Sequence, residues 1–238
     1  MVGRKIVLAL VVSALLAALV LAGGCGTKEE PAPAVQQTSE TAVAPAPSSA
    51  PSGGQTVHMN GRSVMFNWMK HWGYQGEGTV KKNGYTFDYK ALDASELGNM
   101  SGSFASNTEG LPAGSIVFYK FCFADFSGDN LKALQDIVDK VVATAKERGF
   151  KLIVGNALPV RKQDGSPEMI KEYSAYNTWL EAKARTDGFT VFDQYSVLAG
   201  PDGFLNTSYE TEDSHPNDEA YVAMDAQFFP LLNGISAK

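Results

Sequence analysis

The stretch that decides the fold is Ser115-Ile-Val-Phe-Tyr-Lys-Phe-Cys-Phe-Ala-Asp125, which is almost continuously apolar and ends on an acid. A run of this kind predicts a β-strand that is covered on both faces, as in a parallel sheet. Apolar residues then recur at helical spacing over 131–142, Gly149 marks the end of that helix, and a second apolar run follows at 151–155. A strand, a helix and a strand of these lengths predict a βαβ unit.

The same alternation extends to both sides of this unit. Further strands are predicted at 57–60, 85–89 and 189–193, and further helices at 64–72, 168–186 and 218–232. Segment 76–82 is rich in Gly, and segment 96–107 is rich in Gly, Ser and Asn, which predicts loops with short helical pieces at most. We therefore expect an α/β fold with a mostly parallel sheet of about five strands.

Residues 1–24 have the pattern of a secretory signal peptide. Arg4 and Lys5 precede an apolar run over 6–22, and small residues stand directly before Cys25. This junction resembles the bacterial lipobox, in which the cysteine is acylated and becomes the new N-terminus. We expect a lipoprotein that is secreted across the bacterial cytoplasmic membrane and lipid-anchored at Cys25, facing the periplasm or the cell surface. An ordinary signal peptide and an uncleaved anchor are the alternatives, and both also place the domain outside the cytoplasm.

The rest of the chain divides into a tether and one domain. Residues 25–56 contain Cys25 followed by a stretch rich in Pro, Ala and Ser, which predicts a disordered tether. Residues 57–238 are enough for one well-buried domain. The net charge of −6, without a Lys/Arg cluster, argues against nucleic-acid binding. No metal-binding or cofactor-binding motif is present, so we expect no metal and no cofactor. We also expect the protein to be a monomer.

Two short motifs carry the predicted chemistry. Gly61-Arg62-Ser63-Val64 follows the first strand and opens a helix, where the helix dipole favours a developing negative charge near Ser63. Near the other end, Glu212-Asp213-Ser214-His215-Pro216-Asn217 places a histidine in a polar turn directly after two acids. A serine nucleophile needs a base, and a histidine base needs an acid that orients it. The simple alternatives are an N-cap role for Ser63 and a solvated acidic loop around His215.

These motifs resemble the conserved blocks of the SGNH (GDSL-type) hydrolase family. Gly61-Arg62-Ser63-Val64 stands in the place of the G-D-S-L block, and Asp213-Ser214-His215-Pro216-Asn217 resembles the last block, with its acid and base. Met100-Ser101-Gly102 resembles the second block, whose glycine donates a backbone N–H to the oxyanion hole. The resemblance covers about 57–235 and implies a three-layer α/β/α domain.

The resemblance implies serine esterase or O-acyl hydrolase chemistry. Ser63 would be the nucleophile, His215 the general base and then acid, and Asp213 the acid that orients His215. Glu212 is the alternative acid, because the family's acid usually stands three residues before the histidine. The N–H groups of Ser63 and Gly102 would form the oxyanion hole.

The chain departs from the family pattern in the third block and beside the nucleophile. The third block of the family is G-x-N-D, but here the sequence is Cys122-Phe123-Ala124-Asp125, so Ala124 replaces an asparagine that donates to the oxyanion. Loss of one such donor can lower the rate by about 10²–10³-fold. Asn99 is a candidate substitute, and Asp125 is a candidate substrate-facing residue at a strand end. Arg62 replaces the aspartate beside the nucleophile.

Lys120 is a separate unusual feature, because it lies within an apolar strand. A buried ammonium there needs a partner or a substrate-facing role.

The predicted function is that of a cell-envelope lipoprotein with a serine esterase or O-acyl hydrolase domain. Its location suggests ester (acetyl) groups of surface glycans, or a similar ester-bearing small molecule, as substrate. One alternative is a catalytically inactive SGNH-like surface module that binds a glycan or an envelope partner, with Trp68, Trp72 and Tyr74 available for sugar stacking. Another is an O-acyltransferase that uses the same triad.

Overall fold

The computed structural model describes residues 54–237, which contain a six-stranded sheet. The predicted signal peptide, Cys25 and almost all of the predicted tether lie outside these residues. The strands are β1 (Thr56–Gly61), β2 (Thr79–Lys82), β3 (Tyr85–Ala91), β4 (Ile116–Tyr119), β5 (Lys151–Gly155) and β6 (Thr190–Phe192). Their order is β2-β3-β1-β4-β5-β6, and only the β2–β3 pair is antiparallel.

Helices cover both faces of this sheet. They are α1 (Ser63–His71), α2 (Asn99–Asn107), α3 (Leu131–Glu147), α4 (Pro167–Asp187), α5 (Gln194–Leu198) and α6 (Asp218–Ser236). Buried side chains of α1, α5 and α6 form one core with the sheet, and those of α2, α3 and α4 form a second core on the opposite face. The predicted α/β fold with three layers and a mostly parallel sheet is confirmed, with six strands instead of about five.

The predicted strand over 115–125 is only half correct. β4 ends at Tyr119, although the Lys120 N–H still bonds the Asn60 carbonyl of β1 at 3.1 Å. The chain then turns through a short 3₁₀ helix, Phe123–Asp125. Its Asp125 carboxylate accepts a hydrogen bond from the Cys122 N–H at 2.6 Å, which stabilises the turn.

Two segments that were predicted to be loops contain regular structure. β2 lies within 76–82 and pairs with β3 through Asn83 and Gly84, which have φ values of 48° and 83°. Positive φ at two successive residues is typical of a tight hairpin turn, and Asn-Gly is its preferred sequence. Helix α2 lies within 96–107. Its Met100 and Phe104, four residues apart, are both fully buried, so packing of one apolar helix face against the core stabilises this segment as a helix.

The three aromatic residues near Ser63 belong to the core. Trp68 and Trp72 are 0% and 7% exposed, and both indole N–H groups donate to the Asp225 carboxylate of α6. Tyr74 is also buried, at 5% exposure. The suggested sugar-stacking role for these side chains is therefore wrong, because a ligand cannot reach their ring faces. Within residues 54–237, no helix combines the length and the apolar character needed to cross a bilayer.

Candidate active site

The turn from β1 into α1 exposes Ser63 at the carboxyl edge of the sheet. Arg62 is the N-cap of α1, and Ser63 is its first helical residue, so the simple N-cap role for Ser63 is wrong. The first helical bond runs from the Phe66 N–H to the Arg62 carbonyl at 3.0 Å. The N–H groups of the preceding helical residues, including Ser63, therefore have no partner within the helix and are available to a bound negative charge.

The loop before α6 brings a base to this serine. His215 Nε2 lies 2.8 Å from Ser63 Oγ, and His215 Nδ1 lies 2.9 Å from Asp213 Oδ1. The Phe123 ring packs edge-on against the imidazole, with 5.1 Å between ring centroids. The three side chains form one continuous chain of contacts with the connectivity of a Ser-His-acid triad.

Asp213, and not Glu212, contacts the histidine. Its Oδ1 also accepts hydrogen bonds from the His215 N–H at 2.9 Å and from the Thr211 hydroxyl at 3.1 Å. The His215 N–H is the main cause that lowers the pKa of Asp213, so this carboxyl group stays ionised near neutral pH. Glu212 is exposed, and its carboxylate makes no hydrogen bond to any residue of 54–237.

The predicted oxyanion donors are only partly available. The N–H of Ser63 has no partner within α1, but Gly102 lies inside α2, where its N–H belongs to the hydrogen-bond pattern of the helix. The predicted oxyanion role of Gly102 is therefore wrong. Ala124 is exposed on the 3₁₀ turn after β4 and offers only a methyl group.

The side chains of Asp125 and Asn99 make no hydrogen bond to the triad residues. The Asp125 side chain is buried and forms an ion pair with Arg62, which ties the N-cap of α1 to the turn after β4. Burial raises the pKa of Asp125, although the Cys122 N–H and the Arg62 guanidinium oppose that shift. The predicted substrate-facing role of Asp125 is wrong, because its buried carboxylate is engaged by Arg62 and by the Cys122 N–H. The exposed Asn99 amide donates to Ser95 at 3.2 Å, and its role at the site stays a prediction.

Two buried side chains that the mechanism does not require lie under the site. Lys120 is completely buried, and its Nζ donates to the Phe121 carbonyl at 3.3 Å. No carboxylate of residues 54–237 forms an ion pair with Lys120, and burial lowers the pKa of Lys120 to about 8. Cys122 is buried with its Sγ 3.8 Å from Ser63 Oγ.

Two open clefts flank the His215 loop. The larger, of about 810 Å³, lies between α1 and α6, and most of its lining side chains are polar. Its side chains include Asn67, Lys70, His71, Asp218 and Tyr221. The smaller, of about 480 Å³, is mainly apolar. It is lined by Phe123, Ala124, Phe126, Val160 and Met169, with Arg161 and Asp164 at its polar side.

Sequence reasoning missed several residues that shape the site. The sequence patterns assigned no role to Phe123, Thr211 or Arg161. Thr211 stands four residues before the histidine, close enough along the chain for its hydroxyl to bond within the same turn. Arg161 had no local signal for a contact with the His215 loop, because its two carbonyl partners there are 50 and 51 residues away along the chain. Across residues 54–237, no group of three or more His, Cys, Asp or Glu side chains is arranged to hold a metal ion.

The fold is shared with solved hydrolases of the GDSL type. A GDSL-like lipase from Bacteroides thetaiotaomicron matches with a TM-score of 0.60 at 16% identity, covering 76% of this chain and 88% of that chain. A member of the lipolytic protein G-D-S-L family from Veillonella parvula matches with a TM-score of 0.58 at 15% identity, covering 75% and 98%. No protein-family model and no curated protein matches the chain. The chain therefore has the SGNH-hydrolase fold.

Proposed function

We propose that this protein is a serine esterase of the SGNH type, which hydrolyses ester bonds with Ser63 as the nucleophile. The observation that carries the proposal is the chain of contacts from Ser63 Oγ to His215 Nε2 at 2.8 Å and from His215 Nδ1 to Asp213 at 2.9 Å. This arrangement has the hydroxyl, the base and the orienting acid that acyl transfer requires.

The reaction follows from the roles of these three groups. Ser63 Oγ attacks the ester carbonyl while His215 Nε2 takes its proton, and Asp213 stabilises the imidazolium that forms. The Ser63 N–H, at the N-terminus of α1, donates to the oxygen on which negative charge develops. His215 then protonates the departing alkoxide. In the second half of the reaction, His215 takes a proton from a water that attacks the acyl carbonyl. His215 then returns that proton to Ser63 Oγ as the bond from Oγ to the acyl carbon breaks and the acid leaves.

The oxyanion hole sets an upper limit on the rate. Ala124 offers no donor where the resemblance implies an asparagine, and removal of one such donor from an enzyme typically lowers the rate by about 10²–10³-fold. We therefore expect a slow esterase, whose activity depends on a reactive ester or on a donor supplied by the substrate.

For the substrate, we propose O-acyl groups, such as acetyl, on glycans of the cell envelope. The leaving alcohol departs on the side of the general acid His215, and the polar cleft between α1 and α6 begins at that residue. The lining of this cleft has one lysine, Lys70, against the carboxylates of Asp213 and Asp218, which suits a neutral polyhydroxyl alcohol better than an anionic one. The predicted export and lipid anchor at Cys25 would place the domain among envelope glycans.

One specific observation favours a second candidate. The missing side-chain donor at Ala124 is consistent with a surface module that keeps the fold and binds a glycan without cleaving it. An O-acyltransferase would use the same three residues, with a glycan hydroxyl in place of water.

Steady-state hydrolysis tests the esterase directly. We expect the wild type to release p-nitrophenol from p-nitrophenyl acetate and acetate from a peracetylated sugar, and Ser63→Ala to lose at least about 10²-fold of both rates. Ser115→Ala is the matched control, because this serine precedes β4 at the opposite end of the sheet and its hydroxyl donates to the Pro112 carbonyl, far from the triad. Equal rates for the wild type and Ser63→Ala would favour the binding module. Product formation only when a sugar acceptor is present would favour the transferase.

A further inference from the structure

The loop that carries the acid and the base is attached to the domain through very few hydrogen bonds. Among the described residues, every hydrogen bond that leaves 211–215 ends on Ser63, Arg161 or Asp164. The remaining hydrogen bonds of this loop are internal, such as those from Thr211 to Asp213 and to the His215 carbonyl. The geometry of the triad therefore depends on how Arg161 and Asp164 hold this loop.

Arg161 contacts the loop at several points. Its Nη1 donates to the carbonyl oxygen of Thr211 at 3.2 Å and to that of Glu212. Its backbone N–H donates to the Ser214 hydroxyl at 3.2 Å. The guanidinium therefore bonds the two residues that precede Asp213, and the main chain of the same residue bonds the one that follows it.

Asp164 completes the network. Its Oδ2 accepts from Arg161 Nε at 2.7 Å and from the Ser214 hydroxyl at 2.7 Å. These two hydrogen bonds lower the pKa of Asp164, so it stays ionised and holds both donors. The Arg161 side chain is only 11% exposed, which indicates that these contacts are built into the protein and are not a transient surface pair.

We propose that Arg161 is a positioning residue, which holds the loop 211–215 so that His215 reaches both Ser63 and Asp213. The proposal rests on the esterase function proposed above. A guanidinium is planar and rigid, so it reaches two carbonyls and a carboxylate at once, whereas an ammonium on a flexible stem cannot reproduce that geometry. A displacement of about 1 Å in a catalytic group can lower the rate by about 10²-fold.

The first test is kinetic. We expect Arg161→Met to lower kcat for p-nitrophenyl acetate by about 10²-fold and to change KM by less than about threefold, because positioning acts on the chemical step. Arg161→Lys, which keeps the charge, is expected to recover less than tenfold of that loss. The matched control is Lys162→Met, since Lys162 is the next residue, is 73% exposed and pairs with Asp202 and not with the 211–215 loop. A kcat for Arg161→Met within about threefold of the wild type would overturn the proposal.

A second readout is independent of turnover. The imidazole proton held between His215 Nδ1 and Asp213 gives a downfield signal in the proton NMR spectrum, which we expect in the wild type and in Lys162→Met but not in Arg161→Met. Persistence of this signal in folded Arg161→Met would overturn the proposal even if the wild type hydrolyses no ester, so the two failures are distinguishable. If Arg161→Met does not fold, Asp164→Asn keeps the shape of the network and is expected to weaken the signal and to lower kcat about tenfold.

Discussion

Asp213 stands only two residues before the histidine that it orients, and its Oδ1 contacts both the main-chain nitrogen and Nδ1 of His215. One carboxylate oxygen thus holds the ring through local geometry alone. The Asp213 side chain is 65% exposed, so water competes for the carboxylate and weakens its electrostatic effect on His215. We therefore expect a weaker dependence on this acid than in enzymes where it is buried.

Substitution of the two neighbouring acids separates their roles. We expect Asp213→Asn to lower kcat by about 10²–10³-fold, because an amide at this position favours the wrong tautomer of His215. Glu212→Gln removes an equal charge one residue earlier and is expected to stay within about twofold of the wild type. Rates of p-nitrophenyl acetate hydrolysis measure both effects. A larger loss in Glu212→Gln would contradict the assignment of Asp213.

At the scale of single residues, the sequence predicted the roles of side chains in short motifs better than the roles of backbone N–H groups or of tertiary contacts. The structure brings together three residues that the motifs predicted, Ser63, Asp213 and His215. They were predictable because a hydroxyl, a carboxylate and an imidazole are the side chains that this chemistry requires. Gly102 was misassigned because the role of a backbone N–H depends on secondary structure, and the helical character of its segment was not recognised. Asp125 was misassigned because its burial against Arg62 is a tertiary contact.

At the scale of elements, the turn between β1 and α1 positions the nucleophile. A Cβ at Gly61 would lie 2.9 Å from both Cβ and Sδ of Met65, so the helix packs closely against the end of the strand. Only a residue without a side chain allows this approach. Gly61 therefore fixes where α1 begins and where Ser63 points.

Alanine at two glycines tests this close packing. We expect Gly61→Ala to lower the free energy of unfolding by about 1–3 kcal/mol and to reduce kcat, because the overpacked turn displaces Ser63. Gly102→Ala is the control, since nothing lies within 4 Å of the added Cβ, and alanine in a helix should add about 0.5–1 kcal/mol. Denaturant unfolding and esterase assays measure both. Full activity of Gly61→Ala would contradict this role of the turn.

Lys120, the residue after β4, should make the free energy of unfolding depend on pH. Burial lowers the pKa of Lys120 to about 8, below its value in the unfolded chain, so the folded state binds the proton less tightly. The cost of burying the charge is therefore largest below about pH 8 and disappears as the pH rises towards about 10.5. We expect Lys120→Met to be more stable than the wild type at pH 7, and this advantage to shrink by roughly 2–3 kcal/mol at pH 10.

Denaturant unfolding of both proteins at the two pH values measures this difference. The comparison cancels the titration of groups that both proteins share. An advantage of Lys120→Met that is constant between pH 7 and pH 10 would contradict a burial-lowered pKa of Lys120.

At the scale of the whole molecule, the parallel sheet explains how residues 152 positions apart meet. Parallel strands present their carboxyl ends at one edge, and β1 delivers Ser63 to that edge. The apolar runs that form β4 and β5 predicted this architecture from sequence. The edge strand β2 was missed because it is short and mostly exposed, although Asn83-Gly84 was a readable hairpin signal.

The lipid anchor belongs to the same scale and stays a prediction. If Cys25 is acylated, radiolabelled palmitate enters the wild type during expression in a bacterial host and does not enter Cys25→Ser. Cys122→Ser is the control, because Cys122 is buried and should be inaccessible to an acyl donor. Equal incorporation into the wild type and Cys25→Ser would contradict the anchor.

The most direct test of the central claim is covalent labelling with a fluorophosphonate, followed by intact-mass measurement and peptide mapping. An activated serine attacks the phosphorus and retains the adduct, whereas an ordinary serine does not. We predict one adduct per chain, located on Ser63, absent from Ser63→Ala and retained in Ser115→Ala. An unlabelled wild type, or equal labelling of the wild type and Ser63→Ala, would contradict it.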